Sequence, residues 1–144
     1  MNLVLDASVA STWLLQDGNA ADATAAAAAL LEALRNPAAG VLVPATWTLE
    51  MANVLARGES RGILSENQTQ AFRALLAALP ISVDGQTAAR SLATTLELAR
   101  RYSLSAYDAS YLELALRVQL PLATFDRDLR RAAAQAGVAD ALSG

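Results

Sequence analysis

A chain of 144 residues with 54% hydrophobic and 17% charged side chains suits one domain with a sizeable core. It has no cysteine and no histidine, and all 11 basic residues are arginine. This excludes disulfide scaffolds, thiol nucleophiles, ordinary zinc sites, a Ser-His-Asp triad, histidine-based RNA cleavage and lysine chemistry. The formal net charge of −3 counts against gripping nucleic acid by charge alone. Carboxylates, hydroxyls, arginines and a bound metal remain as the working chemistry.

In chain order, Leu3-Val4-Leu5 predicts a short strand ending at Asp6, with Ser8 as N-cap of a helix through Val9, Trp13 and Leu14. Asp17-Gly18-Asn19 reads as a turn. A helix is expected from about Ala20 to Arg35, stopped near Asn36-Pro37; its alanine tract carries Asp22 and Glu32. Gly40 to Pro44 reads as the second strand. Thr46 begins a helix carrying Trp47, Met51, Val54 and Leu55 and ending near Gly58 or Gly62. Ser65-Glu66-Asn67-Gln68 fits a capping box and predicts a helix to about Leu79.

Pro80 to Val83 forms the third expected strand. One helix is then predicted from Asp84 or Gly85 to about Tyr102, and another, capped by Ser105, to about Val118. Leu120 to Thr124 is the fourth strand despite Pro121. Asp126 to Gln135 is helical, Gly137 stops it, and Val138 starts a minimal edge strand. Short apolar strands alternating with helices indicate an α/β domain with a mainly parallel sheet of four or five strands and no linker. No apolar run spans a bilayer, and the opening residues lack the basic region and cleavage site of a signal peptide. The expectation is a soluble, cytoplasmic protein.

Open parallel sheets bind ligands beyond the carboxyl ends of their strands. Asp6 follows the first strand and Asp126 the last, so both belong at that edge. With about 100° per helical residue, Glu50 falls on the border of an apolar stripe. Asp108 falls on a core-facing stripe with Leu112 and Ala115, whereas Glu113 and Arg117 share the opposite, wetter face. An ionised carboxylate on an apolar stripe is costly unless paired or bound to a cation.

Each acid also has an ordinary role open to it. Asp6 could end a strand and cap a helix, and Glu50 could be solvated or pair with Arg57. Asp108 could be the first-turn acid of a Ser105-x-x-Asp108 cap, and Asp126 or Asp128 could cap the last helix. Thr124 and Ser8 could help hold acids or a metal-bound water. Two carboxylates about 4 Å apart at an effective dielectric near 20 repel by about 4 kcal/mol, so a cluster takes up protons or a cation. All-oxygen ligands favour Mg²⁺ or Mn²⁺ over zinc.

These residues carry a family resemblance. Val4-Leu5-Asp6-Ala7-Ser8-Val9, Leu49-Glu50-Met51-Ala52-Asn53-Val54-Leu55, Ser105-Ala106-Tyr107-Asp108-Ala109-Ser110-Tyr111-Leu112 and Leu122-Ala123-Thr124-Phe125-Asp126-Arg127-Asp128-Leu129 resemble, in order, segments of the PIN-domain ribonucleases. The likeness is in particular to the VapC toxins of toxin–antitoxin pairs. The resemblance implies a three-layer PIN-like domain over residues 1–144, with Asp6, Glu50, Asp108 and Asp126 in one cleft. It implies Asp6 and Asp108 as direct Mg²⁺ ligands, with Glu50 and Asp126 completing the site directly or through water; Asp128 is the understudy of Asp126.

An activated water would attack an RNA phosphate and expel the ribose 3′ oxygen. The resemblance further implies a homodimer and a VapB-like antitoxin over the cleft. Many relatives carry Asn or Thr shortly after the first Asp, where this chain has Ala7-Ser8. Arg100-Arg101 and Arg127-Arg130-Arg131 are candidates to flank the cleft. A dehalogenase-like phosphatase would need an acid where Ser8 stands, and a receiver domain would need a lysine. The remaining alternative is a catalytically inactive PIN-like module that binds an antitoxin or RNA.

Overall fold

Strand β1 (Asn2–Leu5) runs through the interior of a sheet ordered β3-β2-β1-β4, with β2 at Gly40–Val43, β3 at Ile81–Val83 and β4 at Leu122–Ala123. Every neighbouring pair is parallel. The computed structural model describes residues 2–15 and 21–143, so the expected turn at Asp17-Gly18-Asn19 lies outside the described residues. Leu3, Val4 and Leu5 are fully buried, because helices cover both faces of a parallel sheet. That is why β1 reads as an unbroken apolar run rather than an alternation.

Strand β4 is shorter than the expected Leu120–Thr124. Pro121 has no N–H for a ladder, although its carbonyl accepts from the Val4 N–H at 2.9 Å. The edge strand expected after Val138 reduces to one parallel bridge between Leu122 and Asp140.

The flanking helices are α1 (Ala7–Ala10), α2 (Ala21–Leu34), α3 (Ala45–Ser60), α4 (Glu66–Ala77), α5 (Thr87–Arg90), α6 (Leu96–Tyr102), α7 (Ala106–Val118) and α8 (Arg127–Gln135). A 3₁₀ turn, Ser11–Trp13, extends α1. Its Trp13 indole N–H donates to the Ala27 carbonyl at 2.8 Å and docks the alanine-rich α2. The capping box of α4 forms as expected: Ser65 Oγ accepts from Gln68 N–H, and Gln68 Oε1 accepts from Ser65 N–H. Gly62 and Gly137 follow α3 and α8 at φ of +72° and +81°, a left-handed turn that favours glycine.

Three expectations need correction. Asp6, not Ser8, holds the N-cap position of α1, because the Ser8 hydroxyl is engaged elsewhere. The single helix expected up to Tyr102 is broken between α5 and α6 by a wide π turn, Ser91–Thr95, with Ala93 at φ −117° and ψ −105°. The extra backbone resets the helical phase: Leu92 is left 89% exposed while Thr95 and Leu98 are buried.

Glu113 does not face water; it is 3% exposed. Arg117 reaches it at 2.8 Å and also bonds both carboxylate oxygens of Asp84, just after β3, at 3.1 and 2.6 Å. Helix α7 is thus enclosed on nearly all sides, with its charged pair neutralised inside the fold. Among the described residues no helix is long and apolar enough to cross a membrane.

Candidate active site

The chain winds from β1 outward to β2 and β3, then returns to lay β4 on the other side of β1. The winding direction reverses between β1 and β4, and a crevice opens there beyond the carboxyl ends. Asp6 leaves β1 at this point, its N–H donating to the Ala123 carbonyl at 2.9 Å. Its side chain is buried, and Oδ2 accepts from both Ser8 Oγ and Thr124 Oγ1 at 2.7 Å. Those hydroxyls in turn accept from the backbone N–H groups of Phe125 and Asp126, each at 3.0 Å. Ser8 is therefore a clamp on Asp6 and ties the end of β1 to the end of β4. The departure at Ala7-Ser8 still supplies a hydroxyl.

The other acids arrive from helices. Glu50, half-buried on α3, accepts from the Tyr111 hydroxyl at 2.7 Å, so its partner is Tyr111 and not Arg57. Asp108 lies in the first turn of α7, and its N–H donates to Ser105 Oγ at 3.1 Å. Asp126 caps α8 by accepting from Leu129 N–H at 2.8 Å. These ordinary capping contacts exist, yet Asp6, Glu50, Asp108 and Asp126 still line one cleft of about 300 Å³ with Ser8, Ser11 and Asn53. Asp128 is exposed, pairs with Arg131 at 2.8 Å and does not line the cleft.

Tyr111 joins the site from α7, where its sequence context is that of an apolar core residue. The available signal was the phenol itself, since a buried tyrosine hydroxyl needs a partner. Asn53 and Ser11, which also line the cleft, carry no comparable sequence signal.

The cleft disfavours its own charges. Burial raises the Asp6 pKa, opposed by the Thr124 and Ser8 hydroxyls and reinforced by Asp126. Burial also raises Glu50, opposed by Tyr111 and reinforced by Asp6 and Asp108. Asp108 is pushed up to about 6, first by burial and then by the charges of Asp126 and Asp6. Burial and the nearby Asp6 and Glu50 keep Tyr111 protonated as a hydrogen-bond donor.

A carboxyl whose folded pKa is raised favours the fold below its ordinary range, and that contribution is lost as pH rises through the folded value. The metal-free protein should therefore melt at a lower temperature at neutral pH than near pH 4, roughly the ordinary Asp pKa. Asp108→Asn should flatten that fall in a thermal-melt series; an unaltered slope would contradict the assignment.

A divalent cation would relieve the same repulsion. The donors are all oxygen, which suits Mg²⁺ or Mn²⁺. Among the described residues no three acids are grouped closely enough to hold an ion. Mg²⁺ usually keeps several waters beside one or two carboxylates, so an ion in this cleft would be reached partly through water.

The PIN domain family profile matches residues 3–135. No curated protein matches the chain. Among solved structures, a protein from Pyrobaculum aerophilum is 20% identical with a TM-score of 0.65, covering 97% of this chain and 83% of that one. FitAcB from Neisseria gonorrhoeae is 22% identical with a TM-score of 0.62, covering 97% and 96%. A toxin–antitoxin complex from Klebsiella pneumoniae is 20% identical with a TM-score of 0.56, covering 88% of each chain. At these identities the likeness is one of fold.

Proposed function

Since this chain belongs to the PIN domain family, we propose that it is a metal-dependent endoribonuclease, the VapC-type toxin of a toxin–antitoxin pair, built as one nuclease domain over residues 1–144. The observation that carries this reading is the gathering of Asp6, Glu50, Asp108 and Asp126, from four separate segments, around one cleft at the point where the sheet reverses its winding. Retention of all four acids speaks against an inactive binding module.

Asp6 and Asp108 are the direct ligands in this proposal, with Glu50 and Asp126 acting directly or through water. When bound, Mg²⁺ or Mn²⁺ supplies a water of lowered pKa and offsets charge on the phosphoryl oxygens. The protein's own part is positional. Ser8 and Thr124 fix Asp6 at the end of β1. The Tyr111 hydrogen bond to Glu50 supports Glu50, where it acts through water, as the acceptor of a proton from the attacking water. The new bond joins water oxygen to phosphorus as the bond from phosphorus to the ribose 3′ oxygen breaks, and the departing oxygen takes up a proton from bulk water.

The Klebsiella pneumoniae toxin–antitoxin complex among similar folds supports a VapB-like antitoxin as partner. A cytoplasmic homodimer completes the proposal. The test is direct: purified, antitoxin-free protein should cleave RNA in Mg²⁺ or Mn²⁺, stop in chelator and recover on metal addition. Cleavage indifferent to chelator would overturn it.

Tyr111→Phe keeps the packing and removes the hydroxyl on Glu50. A hydrogen bond to a charged group contributes about 1.5–3 kcal/mol, so if its value is felt in the reaction, turnover should fall roughly 10–100-fold. Single-turnover cleavage measures this; a wild-type rate would remove Tyr111 from the site.

A further inference from the structure

Helix α3 does more than deliver Glu50. Its cleft-lining residues are Glu50, Asn53 and Val54. At about 100° per residue, Arg57 and Arg61, the latter the residue that caps the C-terminal end of α3, return to within about 20° of Glu50, on that same face. They stand about 10 Å and 16 Å farther along the axis at 1.5 Å per residue. Both are exposed, and neither side chain makes a hydrogen bond or ion pair with any described residue.

The acid that follows Glu50 on α3, Glu59, lies about 180° away, where it accepts from Thr69 at 2.6 Å. Gly58 packs on Leu64 on a different side. Helix α4 therefore occupies other flanks and leaves the arginine face open. In a chain of net charge −3, two unpaired arginines in line with an acidic cleft fit a polyanion leaving that cleft. Of the arginines that follow Asp126, Arg131 pairs with Asp128 and Arg130 with Asp140, whereas the Arg127 side chain has no hydrogen bond or ion pair with a described residue.

We propose that the exposed face of α3, from Asn53 through Arg57 to Arg61, is the track that holds the sugar–phosphate backbone of single-stranded RNA beyond the scissile bond. This rests on the ribonuclease reading of the cleft. Arg57 and Arg61 each neutralise one phosphate and carry affinity without reading sequence. An acidic protein partner is the competing occupant.

The test compares wild type with the double variant Arg57→Gln/Arg61→Gln. A charge-matched control, Arg35→Gln/Arg73→Gln, alters residues on α4 and just past α2. Binding of a labelled, mixed-sequence single-stranded RNA is followed in chelator across a salt series, and cleavage is measured separately in Mn²⁺. Loss of two phosphate contacts should reduce the slope of log K against log salt by about 1.4. Affinity should fall at least about tenfold at low salt, with KM raised, kcat retained and the control unchanged.

If wild type cleaves RNA while the double variant binds and cleaves as wild type, or the control weakens equally, the track is overturned and the nuclease stands. If the double variant loses only antitoxin affinity, the occupant is protein and the proposal fails. If wild type neither binds nor cleaves RNA, the ribonuclease reading and the track fall together.

Discussion

Asp6→Asn and Asp108→Asn are each expected to abolish RNA cleavage, by at least about a thousandfold, while leaving the fold intact. If the two acids hold the metal as proposed, losing either would remove several kcal/mol of transition-state stabilisation, and about 4 kcal/mol corresponds to that factor. The fold survives for separate reasons at the two positions. At Asp6 the amide oxygen of asparagine still accepts the Ser8 and Thr124 hydroxyls that now meet Oδ2. At Asp108 the cap is made by the backbone N–H to Ser105 Oγ, which the substitution does not touch. Removing the Asp108 charge also relieves repulsion from Asp126 and Asp6, so metal-free Asp108→Asn should melt above wild type at neutral pH. Cleavage by both variants at the wild-type rate would dismiss these acids as the site.

Arg117→Met should cost about 3–5 kcal/mol of stability, the penalty for leaving a buried charge without its partner. The guanidinium bridges Glu113, whose side chain is 4% exposed, to Asp84, 11% exposed. It ties α7 to the end of β3, and those carboxylates would remain in place. Asp84 is held below the usual carboxylate range first by the Arg117 hydrogen bond. Its contribution is thus present above the ordinary carboxylate pKa and lost as acid protonates it. Chemical denaturation measures the loss, and adding Glu113→Gln to Arg117→Met should recover part of it. A loss below about 1 kcal/mol would reduce the triad to the rank of a surface pair. Arg117 does not line the cleft, so folded Arg117→Met should keep wild-type kcat in cold assays.

These residues mark how far the sequence could be read. The strand ends were legible because an apolar run followed at once by an acid has few other places to go in a parallel sheet; Asp6 is the example. The capping box at Ser65 was legible because both of its hydrogen bonds are local. Asp126 could be placed at a helix start, but its separation from Asp128 needed coordinates. The two lie two residues apart at the head of one helix, and only the approach of β4 to β1 decides which enters the cleft.

What stayed hidden depends on contacts distant in sequence. Glu113 and Arg117 look like a solvated helical pair until Asp84 arrives from β3 to enclose them. Tyr111 reads as core until Glu50 meets its hydroxyl from 61 residues away. Ser8 satisfies the pattern of an N-cap, and only Thr124, 116 residues away, shows that the hydroxyl belongs to the acid site. The π turn at Ala93 has no local breaker; the burial of Thr95 and Leu98 accompanies the change of phase.

The chemistry of the cut ends tests the central claim most directly. RNA fragments collected after brief expression of wild type and of Asp108→Asn should be ligated and sequenced according to their termini. Attack by a carboxylate-held water, with the ribose 3′ oxygen leaving, predicts fragments with 5′ phosphates and 3′ hydroxyls that appear with wild type and vanish with Asp108→Asn. Fragments ending in 2′,3′-cyclic phosphates, or a pattern shared by both proteins, would contradict hydrolysis at this cleft.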